Sequence, residues 1–431
     1  MVRRWLTRAI LGFMALVFIA IATPYLLGIL QVRMPATIIL EKRRPPVFYD
    51  TQYEEMVKTA NRPLLSESFG LWAETLAEPV AVIRAEGRTT TWEVFFATNR
   101  GLISSTAGSD QERFGNEHVP VPNYGRAEIM IPHRRRGVDP ERSPANASTP
   151  GTDPSRFVQF DKVRAVPWEE MSAGINRQIE QSRQKDLLLF VHGFNVDFES
   201  ALIRTAQVAL DMPFNGAVVS YAWPSQGGVG NYRTDEEFNA HSVEPFLTFC
   251  KQLLVDVPEG TRVHVVVHSM GNRIVMQALS QLSPPSDRKP LATVALCAPD
   301  VGLTDFRRWA PGVMAQADQV TLYASSGDAA LIISKSKNQE QRAGDAHPPL
   351  VIAGMETIDV SAVDCSFLGH SYYGSNVDVL SDLFRLIKER RGLQTCAYLT
   401  PKESGGQRYW YFSGYGDEVH WAWHFEEKLR R

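Results

Sequence analysis

Residues 263–271 read VHVVVHSMG, a run of strand-forming residues that ends in a serine, a methionine and a glycine. In the pattern G-x-S-x-G, a buried strand bends so sharply into a helix that the serine hydroxyl stands above the sheet. Ser269 is then a nucleophile for acyl transfer, and the unpaired N–H groups that open the next helix lie beside the reacting oxygen. Gly271 is the small neighbour such a turn needs, and Val267 stands where the pattern has its first glycine. The bland alternative is a serine that only caps the following helix.

An acyl-transfer site also needs donors placed where the oxyanion forms. The amide of Met270, directly after the nucleophile, is one expected donor. The second is expected from the loop after an earlier strand. Residues 187–195, LLLFVHGFN, fit that role: Gly193 lets the backbone approach, Phe194 offers its N–H, and His192 braces the loop locally. A plain turn after a strand is the competing reading.

In the G-x-S-x-G hydrolases the remaining groups follow in the order serine, acid, histidine. Asp328 ends the run VTLYASSGD, and His370 lies in LGHSYYG. His370 would take the proton from Ser269 and return it to the leaving group, while Asp328 orients the imidazole and stabilises its cationic form. Asp300, in APDVG after another apolar run, competes as the acid, and Asp364 is a weaker rival. His347, His420 and His424 compete as the base.

Other chemistries find less support. No HExxH or clustered ligand spacing suggests a metal, and no lysine completes a phosphate cradle in the glycine-rich run 225–235, so neither metal nor cofactor is expected. Trp223, beside that run, serves equally well as pocket lining or as core. Asn272 and Arg273 are expected to brace the turn. The four cysteines, Cys250, Cys297, Cys365 and Cys396, form no CxxC pair and are too few for a disulfide framework, although Cys365 and Cys396 could pair in an oxidising compartment. Cys297 reads as core. A net charge of −3 argues against a basic nucleic-acid binder.

The elements that must position these residues alternate. Apolar runs at 187–191, 217–223, 263–268, 291–297 and 320–325 read as buried strands, with a short one at 357–360. Helical segments are expected at 198–211, 235–255, 272–282 and 376–390, with room for a small cap at 305–317. Further strands are expected at 92–98, 127–131 and 157–166, and a helix at 175–184. This pattern predicts an α/β-hydrolase fold, a mostly parallel sheet with helices on both faces. The 431 residues, 44% of them hydrophobic, can build such a core. The expected division is an anchor or signal at 1–34, a juxtamembrane linker at 35–90, the hydrolase domain at 91–394 and an aromatic-rich tail at 395–431. That tail is read as packing on the sheet edge, a terminal strand pair, a docking surface or a membrane-interface patch.

The N-terminus suggests a transmembrane helix. Arg3, Arg4 and Arg8 precede an uncharged run from Ala9 to Val32, which as a helix would reach about 36 Å and cross a bilayer. The positive-inside rule then puts the N-terminus in the cytoplasm and the catalytic domain on the outer side. Cleavage after Ala20-Ile21-Ala22 would instead release a secreted protein, and a buried core helix is a third alternative.

Taken together, FFATNR (95–100), YGRAEIMIP (124–132), LFVHGFN, SYAWPSQG, VVHSMGNR, CAPDVGLTDF and YASSGDAAL resemble a bacterial group of uncharacterised α/β hydrolases described as predicted esterases or lipases. The resemblance spans roughly residues 90–375. It implies the α/β-hydrolase fold, Ser269 as nucleophile and, by position, Asp328 and His370 as partners. The expected function is hydrolysis of carboxylic esters through an acyl-enzyme, on a small-molecule or lipid ester substrate, with membrane attachment through the N-terminal helix and no nucleic-acid partner. Another acyl-transfer enzyme (thioesterase, amidase or acyltransferase) and a non-catalytic membrane-tethered scaffold stay open as alternatives.

Overall fold

Strand Asp186–Val191 shows how the sequence builds the sheet. All six residues are buried. Leu188 and Phe190 join one apolar cluster, while Leu187, Leu189 and Val191 join another. Successive side chains of a strand point to opposite faces, so a run with no polar alternation must be covered on both sides. The chain divides into two units, 1–69 and 70–431. The computed structural model describes residues 80–86, 89–104, 112–132, 158–212, 214–226, 231–283, 288–363, 377–388 and 399–412, all in the second unit.

Among the described residues, twelve strands form one sheet. They are β1 (Val82–Glu86), β2 (Thr89–Ser104), β3 (Arg113–Pro132), β4 (Gln159–Ala165), β5 (Asp186–Val191), β6 (Ala217–Tyr221), β7 (Arg262–His268), β8 (Leu291–Cys297), β9 (Ala317–Ala324), β10 (Glu356–Asp359), β11 (Leu399–Ser404) and β12 (Gln407–Phe412). The helices are α1 (Trp168–Gln181), α2 (Phe198–Asp211), α3 (Tyr232–His241), α4 (Val243–Asp256), α5 (Gly271–Leu279), α6 (Leu303–Gln316), α7 (Ala329–Asn338) and α8 (Val377–Lys388). The strand order is β11-β12-β10-β9-β8-β7-β5-β6-β2-β3-β4, with β1 paired to β2.

The sheet is mostly parallel, as expected, with antiparallel wings that make it mixed. From β12 through β10, β9, β8, β7, β5 and β6 to β2 the pairs are parallel. The wings are antiparallel, with β1, β3 and β4 added beside β2 and β11 beside β12. Helices α2 and α8 bury apolar side chains in one cluster, and α1, α4, α5 and α6 in the other. Helices therefore cover both faces, as expected.

The chain runs from β5 to β6 on one side, then returns to β7 on the other side of β5. At such a reversal α/β sheets bind ligands beyond the carboxyl ends of the strands, and the loops after β5 and β7 lie at those ends.

Three expectations are corrected. The helix expected over 235–255 is broken at Ser242 into α3 and α4. Pro245 lacks an N–H and so cannot continue the hydrogen-bond ladder from α3, but it is tolerated in the first turn of α4. The segment expected as a small cap is α6, whose Phe306, Ala310 and Val313 pack onto the sheet. The transmembrane helix is not part of this fold: among the described residues no helix is long and apolar enough to cross a membrane. The run 9–32, on which that expectation fell, lies outside the described residues. The single-pass topology, the membrane as a partner and the outer-side or secreted location are withdrawn with it, and no compartment is assigned.

Candidate active site

Only Ser269 and Met270 separate the end of β7 from the start of α5. Ser269 has φ +50°, a left-handed conformation that costs an L-residue about 1–2 kcal/mol. Its N–H donates to the Cys297 carbonyl at 2.9 Å, extending the β7–β8 ladder by one step. Its own carbonyl accepts from the amides of Asn272 (3.1 Å) and Asp300 (3.2 Å) and from Asn272 Nδ2 (2.9 Å). Asn239 Nδ2 donates to the Met270 carbonyl at 3.0 Å. The strained turn is thus held on every side by backbone and amide groups. Ser269 is 2% exposed.

The two glycine positions of the motif are filled differently. A β-carbon on Gly271 would lie 2.4 Å from the His192 carbonyl oxygen, so glycine is what lets α5 start against the loop after β5. Val267, where the pattern has glycine, pairs with Val191 on one side and Leu296 on the other and is fully buried. It acts as a core residue, and the turn forms without a glycine there.

The loop after β5 lies against the serine. A β-carbon on Gly193 would meet Ser269 Cβ at 2.7 Å and His268 Nδ1 at 2.8 Å. The next residue, Phe194, packs its ring edge-on to Tyr232 at 5.4 Å. Among the described residues, neither the Phe194 nor the Met270 amide has a hydrogen-bond acceptor. His192 braces this loop: its ring stacks on Trp223 at 5.1 Å, with Nδ1 2.8 Å from the Gly193 carbonyl and Nε2 3.1 Å from that of Trp223. Burial, reinforced by the charge of Arg100, pushes the His192 pKa down to about 3, so the ring stays neutral. Trp223 is fully buried and donates Nε1 to the His192 carbonyl at 2.8 Å, which makes it core and brace rather than pocket lining.

Asp328 is buried at the carboxyl end of β9, where its Oδ1 accepts the Leu331 amide at 3.0 Å and caps α7. Asp300 is buried in a different setting. Tyr232 donates to it at 2.7 Å, Ser334 also donates, Arg273 Nη2 lies at 3.1 Å and Arg342 Nε at 3.2 Å. Burial alone would raise its pKa, but the two guanidinium groups outweigh that and hold it below the usual carboxylate range. Tyr232, beside this carboxylate and buried with it, is pushed up to about 12. Arg273 braces the site as expected, donating Nε to the Asp300 carbonyl at 2.6 Å and Nη1 to Glu236 at 2.8 Å.

Ser269 and Gly193 are therefore brought together, with Met270 and Phe194 the next residues of their two loops, Asp328 stands past the second strand over from β7, and Asp300 belongs to an arginine network. His370, Asp364, Cys365, Cys396, His420 and His424 lie outside the described residues. His347 is an exposed side chain 3.8 Å from Asp345. The expected helpers omit Arg100, Asp235, Asn239 and Tyr232, all of which converge on these loops from distant positions.

Residues 169–390, half of the chain, match the family described as alpha/beta hydrolase of unknown function (DUF900). This chain belongs to that family. As a DUF900 member it has the α/β-hydrolase fold. A curated relative, uncharacterized protein alr1448 of Nostoc sp., is 23% identical over 219 residues, 44% of this chain and 50% of that protein. The chain thus spans about half the length of the curated relative it matches. Similar solved structures include esterase B from Lactobacillus rhamnosis (10% identity, 78% of this chain and 99% of that one, TM-score 0.28). The metagenomic carboxyl esterase MGS0156 is 14% identical (49% and 77% covered, TM-score 0.27). Phospholipase PlaB from Legionella pneumophila is 11% identical (53% and 68%, TM-score 0.24). Likenesses this slight carry nothing further, and no feature of the described site identifies a lipid or other particular ester as ligand.

Proposed function

We propose that this DUF900 member is a serine hydrolase that cleaves carboxylic esters through an acyl-enzyme on Ser269. The observation that carries this reading is the left-handed Ser269 at a strand–helix junction, with Gly193 packed against it. An L-residue is held in that conformation only where its surroundings enforce it, and such strain concentrates at functional sites.

In this mechanism Ser269 Oγ attacks the ester carbonyl while His370 removes its proton. The amides of Phe194 and Met270 stabilise the tetrahedral oxyanion, and His370 then protonates the departing alcohol. Water, activated by the same histidine, releases the acid. Asp328 orients His370, and its place past β9 supports it over Asp300, whose carboxylate already serves two arginines.

A fluorophosphonate probe tests the reading, because phosphonylation needs an activated serine. The expected result is labelling of the wild type that maps to Ser269, no labelling of Ser269→Ala, and hydrolysis of short-chain p-nitrophenyl esters by the wild type alone. An unlabelled wild type that cleaves no such ester overturns it.

A further inference from the structure

The motif FFATNR ends in three residues that the proposed mechanism does not use, and they are among the most deeply buried polar groups of the fold. Thr98, Asn99 and Arg100, in β2 just past its last pairing with β6, are all fully buried. Among the described residues Arg100 makes no ion pair and its buried Nε has no acceptor, so the two terminal nitrogens carry its hydrogen bonding, an expensive arrangement for a buried charge unless they are well satisfied. Its acceptors come from three segments. Nη1 donates to the Gly115 carbonyl (3.3 Å) and Asn116 Oδ1 (2.7 Å) on β3, and Nη2 to the carbonyls of Val196 (2.8 Å) and Ser225 (3.1 Å). Val196 follows the loop after β5, two residues beyond Phe194, and Ser225 follows β6.

The neighbours close the same loop from other directions. Val196 N–H donates to Ser225 Oγ at 3.2 Å, and Ser225 Oγ donates to Asp235. Asp235 also accepts the amides of Asn195 (3.5 Å) and Gln226 (2.7 Å). Gln226 and Asn116 exchange a reciprocal pair, Asn116 Nδ2 to the Gln226 carbonyl (3.1 Å) and Gln226 Nε2 to that of Asn116 (3.0 Å). Thr98 donates to the Ala222 carbonyl, and Asn99 receives the Tyr221 hydroxyl (3.1 Å) while donating to Ser242 (3.0 Å).

We infer that the Thr98-Asn99-Arg100 run is a clasp for the oxyanion loop, with Arg100 the positioning residue that fixes where the Phe194 amide points. This rests on the serine-hydrolase reading. It also brings the β2–β3 wing, outside the family match at 169–390, into the catalytic machinery. A guanidinium suits the task because its planar fork reaches carbonyls of separate segments at fixed angles, which an ammonium cannot do. Burial lowers its pKa only to about 10, so the fork keeps its charge at neutral pH.

The test compares wild type with Arg100→Lys, which keeps the charge and removes the fork, and Asn116→Ala, which removes one acceptor and leaves the arginine. The readouts are kcat and KM on a short-chain p-nitrophenyl ester, the rate of fluorophosphonate labelling, and hydrogen exchange at residues 192–197. The expected result for Arg100→Lys is a fall of about 10- to 100-fold in kcat, the scale of a misplaced catalytic group. KM stays within about threefold, labelling slows in parallel, and amide exchange quickens in 192–197. Asn116→Ala shows a smaller effect in the same direction, and it decides the matter if Arg100→Lys does not fold. Folded variants that label and turn over at the wild-type rate overturn the clasp and leave the hydrolase reading standing. So does a loss of activity that tracks lost folded protein with exchange in 192–197 unchanged. A wild type that resists the probe removes both readings.

Discussion

Gly193 lies so close to Ser269 that a β-carbon on it would sit 2.7 Å from the serine's own Cβ. The same carbon would meet the His268 carbonyl at 3.2 Å. Both neighbours belong to the stem of the elbow, so neither can swing aside as a long flexible side chain would. Gly193→Ala therefore pushes the loop after β5 away from the serine. The expected outcome is a fall in kcat of about 100-fold, the scale of a displaced oxyanion donor, with a stability loss of about 1–3 kcal/mol from overpacking. Steady-state kinetics and urea unfolding on the same preparation check both parts.

Strain at Ser269 makes a second prediction that is independent of substrate. Its φ of +50° penalises any residue with a β-carbon by about 1–2 kcal/mol, and glycine escapes that penalty. Ser269→Gly should thus be more stable than Ser269→Ala by about 1 kcal/mol, although glycine ordinarily weakens a fold by freeing the unfolded chain. Urea midpoints of the two variants decide it. A glycine variant less stable than the alanine one would show that the turn carries no such strain. Neither variant should react with a fluorophosphonate.

The loops on either side of that turn are legible in the sequence for a physical reason. LLLFV and VHVVV are too apolar to face water and too short for helices, and each is followed by a histidine and then glycine or serine. A buried parallel strand leading to a site is the arrangement that satisfies both facts. The wing of β2 and β3 is less legible. It runs for 16 and 20 residues, much longer than the apolar runs at 92–98 and 127–131, because the strands' polar ends continue pairing beyond the core. Arg100 is invisible as a buried residue, since an arginine after FFATN reads as surface until a strand and two loops distant in sequence supply its acceptors. Asp300 looks like a catalytic acid because it follows a strand, and only Arg273 and Arg342, 27 residues before and 42 after it in the chain, reveal its other engagement.

That engagement separates the two acids experimentally. Asp300→Ala would strand the buried Arg342 and the half-buried Arg273 without their carboxylate, and unfolding free energy should drop by about 3–5 kcal/mol. Asp328→Asn keeps a side-chain oxygen to cap α7, so its urea midpoint should stay near that of the wild type. Its kcat should fall by about 10⁴-fold if Asp328 orients the catalytic imidazole. The reverse pattern, with Asp300→Asn inactive but stable and Asp328→Asn active, would move the acid to position 300.

The opposite end of the sheet supplies a pH-dependent prediction. Asp186 opens β5 fully buried, bonded to Lys388 at the end of α8 and to His264 Nε2 at 3.1 Å, with Arg262 at 3.4 Å. Burial alone would raise the Asp186 pKa, but the His264 hydrogen bond and the Lys388 and Arg262 charges outweigh it and hold the carboxyl below its ordinary value. Stability from this group is present above the unfolded pKa of about 3.9 and is lost as pH falls through the lower folded value. His264 is also depressed, by burial, which Asp186 opposes only in part. Its unfolded form takes a proton near about pH 6.5 while the folded form resists, so stability declines as pH drops below that point. Both groups thus weaken the fold in acid, the histidine first. In a urea series from about pH 7 to about pH 4, the wild type should lose stability with a slope that His264→Gln lacks in the upper part of that range. Asp186→Asn should be weaker than wild type by about 3–5 kcal/mol at neutral pH, because Lys388 is left buried without its partner, and that gap should persist to the end of this series and narrow only when it is continued below about pH 3.9. A gap that stays constant below that point would mean that the carboxylate's charge contributes nothing to holding α8 on the sheet.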